Sequence, residues 1–312
     1  MGTFGVVDVS QWQVSAHEPM GSKAGKLWLE ALPQGPVEGG RWLFKPRTTQ
    51  HEQSQQFPKG DDWAEKIVAE VAALLNVPAA PVELARRDGV PGIISRDISS
   101  GQTLVLGNEV LFGQDPDYDR LGRRSVPGYT VGAVFGALQA LGASAPHGVT
   151  GRDACSVFTG YLLLDALVAN TDRHHENWGI LVASQASMAP ELAATFDHAS
   201  SLGFLLSDEE RLERLHTRDT NRMMEAYAER GHSRHFAGSP ALVDLALDGL
   251  RQCPSADRDV YREGLEALDG GALEALMVAM PEERLSSLAG RFSVRLMEVN
   301  RRRLLDGLDR LS

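Results

Sequence analysis

The sequence predicts an α+β fold in two lobes, a small β-rich N-terminal lobe with one long helix and a larger, mainly helical C-terminal lobe. Three observations carry this. Apolar residues recur at strand-like spacing in short runs between about residues 26 and 97, and at helical 3-and-4 spacing from Tyr129 onward. One strongly amphipathic helical segment interrupts the strand-rich half. The chain of 312 residues, 43% hydrophobic and 23% charged, is long enough for two lobes around a sizeable core. The expected division is residues 1–105 and 106–312.

Each element follows from local pattern. "LWLEAL" (27–32) and "RWLFKP" (41–46) read as strands, and "DWAEKIVAEVAALLN" (62–76) as the long helix. "PVELARRDG" and "PGIISRDI" read as a hairpin, because Asp88-Gly89 between two apolar runs is a strong turn signal. The glutamine-rich "TTQHEQSQQFPKGDD" (48–62) reads as a mobile loop, and "GNEVLFGQDPDYDRLGRRSVPG" (107–128) as the connector between lobes. A helix is expected near Thr130–Leu141. A core helix follows from Asp153 to Val168, with Val157, Tyr161, Leu164 and Val168 on one face. "WGILVAS" and "LAATF" read as short strands. The C-terminal helix "SSLAGRFSVRLMEVNRRRLLDGLDRL" should bury Phe292, Leu296, Val299 and Leu304, with Arg301 to Arg303 facing mostly solvent.

Composition excludes several classes. With 31 Lys and Arg against 42 Asp and Glu, the net charge of −11 argues against direct nucleic-acid binding. Cys155 and Cys253 are far apart and lack CxxC spacing, so neither a disulfide framework nor a zinc knuckle is expected, and a reducing, cytoplasmic setting fits. "MGTFGVVDVS" has no basic or apolar leader region, and Val6 stands where N-myristoylation needs Ser or Thr. The uncharged stretch 125–151 has too many Gly, Ser, Thr and Pro for a transmembrane segment.

The chemistry gathers in "NTDRHHENWGIL" (170–181), which follows the core helix, and in "FDHASSLG" (196–203), which follows the two short strands. Asp172, Asn177 and Asp197 form a pattern with a physical use. One carboxylate orients or deprotonates an attacking hydroxyl, while the amide and the second carboxylate offer hard oxygens to a divalent ion bridging phosphates. "DRHHE" also admits a metallohydrolase reading with Asp172, His174, His175 and Glu176 as ligands, although adjacent histidines converge on one ion only with difficulty.

Both stretches resemble the catalytic loop and metal-binding motif of the HipA-like serine/threonine kinases, whose DRH-type loop is shared with phosphatidylinositol kinases. Upstream, "MGSKAGKLWL" resembles that family's phosphate-binding loop, "WLFKP" its lysine strand, and "DWAEKIVAEVAALLNVPAAPVELA" its glutamate helix and following strand. The resemblance runs from about Met20 to Gly203 and implies a two-lobed protein-kinase-like fold. It also implies an ATP-dependent kinase using Mg2+ to phosphorylate Ser or Thr on a protein substrate. By the same resemblance Asp172 is the catalytic aspartate, and Asn177 and Asp197 are the magnesium ligands. Lys45 holds the nucleotide phosphates, and Glu65 is its partner at the start of the helix. Glu70 competes for that role, but a five-residue offset turns it about 140° around the helix. His174 braces the loop. Gly21, Ser22, Lys23 and Gly25 fall on the phosphate loop, where Ser22 is a phosphate contact or a regulatory phosphorylation site.

Two functional alternatives accompany this reading: a small-molecule or lipid kinase, for which "GRRSVPG" and "NRRR" are the short basic candidates, and a nucleotide-binding pseudokinase acting as a binding module. Toxin-type HipA proteins carry a further N-terminal subdomain before the phosphate loop, whereas about twenty residues precede Gly21 here. A DNA-binding antitoxin partner and a tRNA-synthetase substrate are therefore not carried over.

Overall fold

The computed structural model describes residues 2–16, 25–52, 55–185 and 188–311. The N-terminal part is a curled six-stranded sheet in the order β1 (Val6–Asp8), β7 (Val82–Arg87), β8 (Val90–Arg96), β4 (Arg41–Pro46), β3 (Leu27–Glu30), β2 (Gln13–Val14). Only β1 runs parallel to its neighbour; the other pairings are antiparallel. Asp88 and Gly89 join β7 to β8 with φ of 49° and 82°, the pair of positive values that a type I′ hairpin turn requires. Gly92 on β8 faces Pro46 on β4, and a Cβ there would press into the Lys45 carbonyl and within 2.9 Å of Pro46 Cα. Only glycine lets these strands approach so closely at the lysine.

Helix α1 (Asp61–Leu74) packs on the sheet. Trp63, Ala64, Ile67, Val68, Val71 and Ala72 form its buried stripe, at the spacing that turns one face of a helix inward. The polar 48–62 segment, expected to be a loop, forms a two-stranded hairpin, β5 (Thr49–Glu52) with β6 (Gln55–Pro58). Its backbone ladder carries no apolar alternation, so no sequence pattern announces it. The strands β1 and β2, within the first sixteen residues, were likewise not expected.

The rest of the chain is mainly helical. It comprises α2 (Gly107–Gln114), α3 (Val131–Ala140), α4 (Ala154–Val168), α5 (Asp208–His216), α6 (Met224–Glu229), α7 (Leu242–Gln252), α8 (Ser255–Ala267), α9 (Gly270–Ala279) and α10 (Ser287–Asp309). A three-stranded sheet, β11 (Glu191–Leu192), β10 (Gly179–Val182) and β9 (Thr103–Leu106), lies among them. The expected 105/106 division falls within β9. The connector expected between the lobes thus contains a helix, α2.

Helix α4 is the axis of this part. All fifteen of its residues are buried, with α7 and α10 packed along it. Its start is fixed by the Asp153 side chain, which accepts from the Ser156 amide at 2.7 Å. Phe292, Leu296, Val299 and Leu304 of α10 are buried as expected. Arg301 and Arg303, expected to face solvent, are half-buried. Arg301 donates to the Leu265 and Glu266 carbonyls at the end of α8, and Arg303 to the Ala228 carbonyl of α6. The orphan carbonyls of helix ends attract such cations, which the heptad pattern alone does not reveal. No helix among the described residues is long and apolar enough to cross a membrane.

Two glycines give a stability test. Gly92→Ala should cost about 1–3 kcal/mol through forced separation of β4 and β8. Gly136→Ala, on α3 with open space around the new methyl, should gain about 0.5–1 kcal/mol. Urea unfolding of both variants checks the opposite signs.

Candidate active site

Helix α4 ends at Ala169, whose φ of 55° reverses the chain and sends Asn170 to Asn177 across the helix terminus. What then holds this loop is charge buried deliberately. Arg173 and Asp165, both almost wholly inaccessible, form a two-pronged ion pair with Nε to Oδ2 at 2.7 Å and Nη2 to Oδ1 at 2.9 Å. Asn170 Nδ2 donates to the same Oδ1 at 2.8 Å, and Arg173 Nη1 donates to the carbonyls of Asn177 and Phe196. Every strong acceptor and most donors of the pair are therefore used, the condition under which a buried ion pair is tolerated.

Asp172 emerges beside this anchor. Its Oδ1 receives His235 Nε2 at 2.7 Å, and its Oδ2 receives only a long bond from Ser200 Oγ at 3.3 Å. Burial pushes the Asp172 carboxyl up, but the His235 hydrogen bond and the neighbouring imidazoles outweigh it, and the group is held below the ordinary aspartate range. Asn177 Nδ2 donates to the Asp172 carbonyl at 2.8 Å, which leaves the amide oxygen as the free end of that side chain. His174 Nδ1 accepts from the Glu176 amide at 3.1 Å and so fixes the loop's own turn. His175 is buried, with Nδ1 at 2.7 Å from the Tyr118 hydroxyl.

Asp197 is delivered by the segment after β11. Thr195 pairs with the strand-like stretch after α1, its amide donating to the Pro78 carbonyl at 3.0 Å and its carbonyl accepting from Ala80 at 2.9 Å. Asp197 itself has φ of 59°, an uncommon conformation that Asp tolerates better than most residues and that recurs at functional sites. Across the cleft, Lys45 Nζ lies 2.8 Å from Glu65 Oε1 and 3.2 Å from Asp197 Oδ1. Burial disfavours the ammonium, yet the two carboxylates more than compensate and hold its pKa above the ordinary lysine value. Glu65, fully buried, is pushed up by burial and drawn back by Lys45. Glu70 faces elsewhere and binds Lys66 at 2.6 Å, as the helical offset requires.

Lys45, Glu65, Asp197, Lys26, Thr48 and Asp61 line one cleft. Thr48 and Asp61, which hydrogen bond to each other, and Lys26 were not singled out in the sequence. Gly25, just before Lys26, has φ of 87° with Pro46 Cγ 3.1 Å from a would-be Cβ, so a side chain is disfavoured there on both counts. Gly21, Ser22 and Lys23 lie outside the described residues.

The metallohydrolase quartet does not form. His175 is turned into the Tyr118 pocket and His174 back onto its own loop, and among the described residues no three His, Cys, Asp or Glu side chains make a metal cage. Asp197 and Asn177 offer oxygen donors of another kind. Asp197 is a partly exposed carboxylate, and Asn177 has its amide oxygen uncommitted. These hard donors suit Mg2+, which takes few protein ligands and completes its shell with water and phosphate.

A β-sheet lobe bearing a lysine strand and a glutamate helix, set against a helical lobe bearing the aspartate loops, is the two-lobed kinase-like fold. The chain is similar to the Helicobacter pylori proinflammatory kinase CtkA, with a TM-score of 0.70 and 16% identity over 98% of both chains. It is similar also to HipA from Shewanella oneidensis MR-1, a toxin–antitoxin protein solved with HipB and operator DNA, with a TM-score of 0.54 and 14% identity over 95% of this chain and 68% of that one. No protein-family model and no curated protein matches the chain. The fold is that of the HipA-like kinases, as the motifs led one to expect.

The anchor makes a stability prediction. Arg173→Met should strand the Asp165 carboxylate in the core and cost about 3–5 kcal/mol, whereas the double change Arg173→Met with Asp165→Leu should recover much of the loss. Thermal unfolding of the two variants separates these outcomes.

Proposed function

We propose that this chain is an ATP- and Mg2+-dependent kinase that phosphorylates Ser or Thr on a protein. The observation that carries the reading is Lys45 Nζ set between Glu65 and Asp197, with Asp172 held as a carboxylate on the same side of the helical lobe. Phosphoryl transfer asks a protein mainly for positioning and charge compensation, and these four groups supply both.

In this reading Glu65 fixes Lys45 so that its ammonium meets the nucleotide phosphates. Asn177 and Asp197 would hold a magnesium ion, which would supply neutralisation of charge on the phosphoryl oxygens. Asp172 Oδ2 accepts the hydrogen bond of the acceptor hydroxyl and takes its proton as the oxygen–phosphorus bond forms. The bond to the β-phosphate oxygen breaks, and ADP leaves.

A protein acceptor is preferred to a lipid because one of the two basic candidates is already used. In "NRRR", Arg301 and Arg303 are spent on helix carbonyls, and of the three only Arg302 is exposed. The "GRRSVPG" segment keeps Arg123 and Arg124 exposed, but two arginines are few for an anionic membrane surface. A regulatory partner protein is compatible with this reading and has no assigned surface. A cytoplasmic setting accords with two buried, unpaired thiols.

The test uses purified protein, MgATP and a cell extract, with phosphosites mapped by mass spectrometry. Asp172→Asn and Asp197→Asn should each lower transfer by orders of magnitude and leave the thermal transition nearly unchanged. ATP stabilisation of about RT ln(1 + [L]/Kd) should persist in Asp172→Asn and weaken in Lys45→Ala. Phosphate found only on lipids or small molecules would transfer the reading to that acceptor class. Nucleotide binding with no transfer by the wild type would identify a pseudokinase.

A further inference from the structure

His235 lies 63 residues beyond Asp172 in the chain, and nothing in its setting, "SRHFAGSP", marks it as functional. The fold nevertheless holds it in place from several sides. Its carbonyl accepts from the Val126 amide at 2.8 Å, and the amide of the preceding Arg234 donates to the Thr171 carbonyl at 3.1 Å. The amides of His235 and Phe236 both donate to Ser233 Oγ, at 3.3 and 3.2 Å, and the Phe236 ring stacks on Tyr129 with centroids 3.9 Å apart. Tyr129 in turn donates to the carbonyl of Arg173 at 3.3 Å. The imidazole is therefore mounted on the same framework as the catalytic loop.

Its contacts divide by atom. Nε2 meets Asp172 Oδ1 at 2.7 Å, and because a carboxylate can only accept, Nε2 must carry the proton. Nδ1 is buried and without a hydrogen-bond partner. No group competes at Nδ1 for the orientation of the ring, so the bond from Nε2 to Asp172 is the side chain's one directed polar contact. Around it stand Asp172 and His174, whose ring lies edge-on with centroids 5.2 Å apart. The consequence falls on Asp172: with Oδ1 tied by a short bond and Oδ2 receiving only the 3.3 Å contact from Ser200, the carboxylate has one committed and one available oxygen.

We propose that His235 is a positioning residue for phosphoryl transfer, its Nε2–H locking Asp172 Oδ1 so that Oδ2 alone is presented to the acceptor hydroxyl. This role rests on the kinase reading above. It is the arrangement in which a base is oriented by a third group, reached here by a histidine steering an aspartate. The proton still passes from the acceptor oxygen to Asp172 Oδ2; His235 exchanges none.

The test compares His235→Gln, His235→Asn and His235→Leu in the full chain, with MgATP and dephosphorylated casein as acceptor and with ATP hydrolysis recorded in parallel. Glutamine sets an amide N–H near the place of Nε2, whereas asparagine sets it near Nδ1, out of reach of Asp172. His235→Gln should keep most of the turnover. His235→Asn and His235→Leu should lose on the order of 10- to 100-fold in kcat, as a misplaced group does, with the KM for ATP little changed. In an Asp172→Asn background the same changes should cause no further loss, because a residue acting through Asp172 has nothing left to orient. Thermal unfolding identifies a variant that merely fails to fold, and the Gln–Asn contrast stands without the leucine variant. If Gln and Asn prove equally active, or if their losses add to that of Asp172→Asn, the role is overturned while the kinase reading stands. If the wild type transfers phosphate neither to protein nor to water, the kinase reading fails and this role with it.

Discussion

The buried ion pair between Arg173 and Asp165 is the constraint on which the rest of the site depends. An arginine enclosed in the core is costly unless nearly all its donors are satisfied, and here the partners that satisfy them belong to three different segments. Asp165 is on α4, Asn177 closes the loop that carries Asp172, and Phe196 immediately precedes Asp197. Satisfying one guanidinium therefore fixes the loop carrying Asp172 and Asn177 against the segment carrying Asp197. The cost of the buried charge is offset only when all three are in register, so the geometry of the site and the stability of the lobe are enforced by the same group.

A second set of buried charges couples the lobes. Asp62 in the first turn of α1 meets Arg284 at 2.7 Å and Arg47 at 3.3 Å, and Arg284 also donates to the Ala85 carbonyl of β7 at 2.7 Å. Arg284 belongs to the turn between α9 and α10, so the far end of the chain is bolted to the glutamate helix. On the next turn Lys66 is held by Glu70, Glu83 and the Val82 carbonyl. These contacts set the rotation of α1 about its axis, and that rotation is what aims Glu65 at Lys45. The Lys45–Glu65 pair is thus the result of packing at both ends of the helix and not a lone contact seeking its own geometry.

Much of this was legible in the sequence, for identifiable reasons. The strands β3, β4, β7 and β8, the helices α1, α4 and α10, and the Asp88-Gly89 turn are each written in side-chain periodicity or in residues chosen for a backbone angle. The preference for Glu65 over Glu70 came from the resemblance, helical geometry saying only that both could not face Lys45; Lys45 pairs with Glu65, and Glu70 with Lys66. The hairpin β5–β6 was not legible because main-chain bonds make it, and a polar two-stranded ladder leaves no alternation to read. His235 was not legible because its relation to Asp172 exists only in three dimensions. Asp165 could have been found: a lone aspartate inside the run "YLLLDALV", on a helix buried on every side, has to be paired with something. An arginine eight residues on was the obvious candidate.

The charge balance of the cleft bears on why such a site calls for a divalent cation. Glu65, Asp197, Asp61 and Asp62 bring carboxylates to it beside Lys45 and Lys26, and Lys45 already serves two of them. In the kinase reading, triphosphate enters the same space and competes for that ammonium. An Asp197 carboxylate left about 4 Å from a phosphate oxygen would be repelled by roughly 4 kcal/mol at an effective dielectric of 20, comparable to a large share of ordinary nucleotide affinity. Moving Lys45 away from Glu65 offers no relief, because Glu65 is fully buried and would be stranded. In that reading a divalent ion held by Asp197 and Asn177 would relieve the conflict by neutralising charge. Lys45 would then keep Glu65 and have its remaining hydrogen-bonding capacity available to the nucleotide. The uncommitted amide oxygen of Asn177 would supply the second hard donor to such an ion.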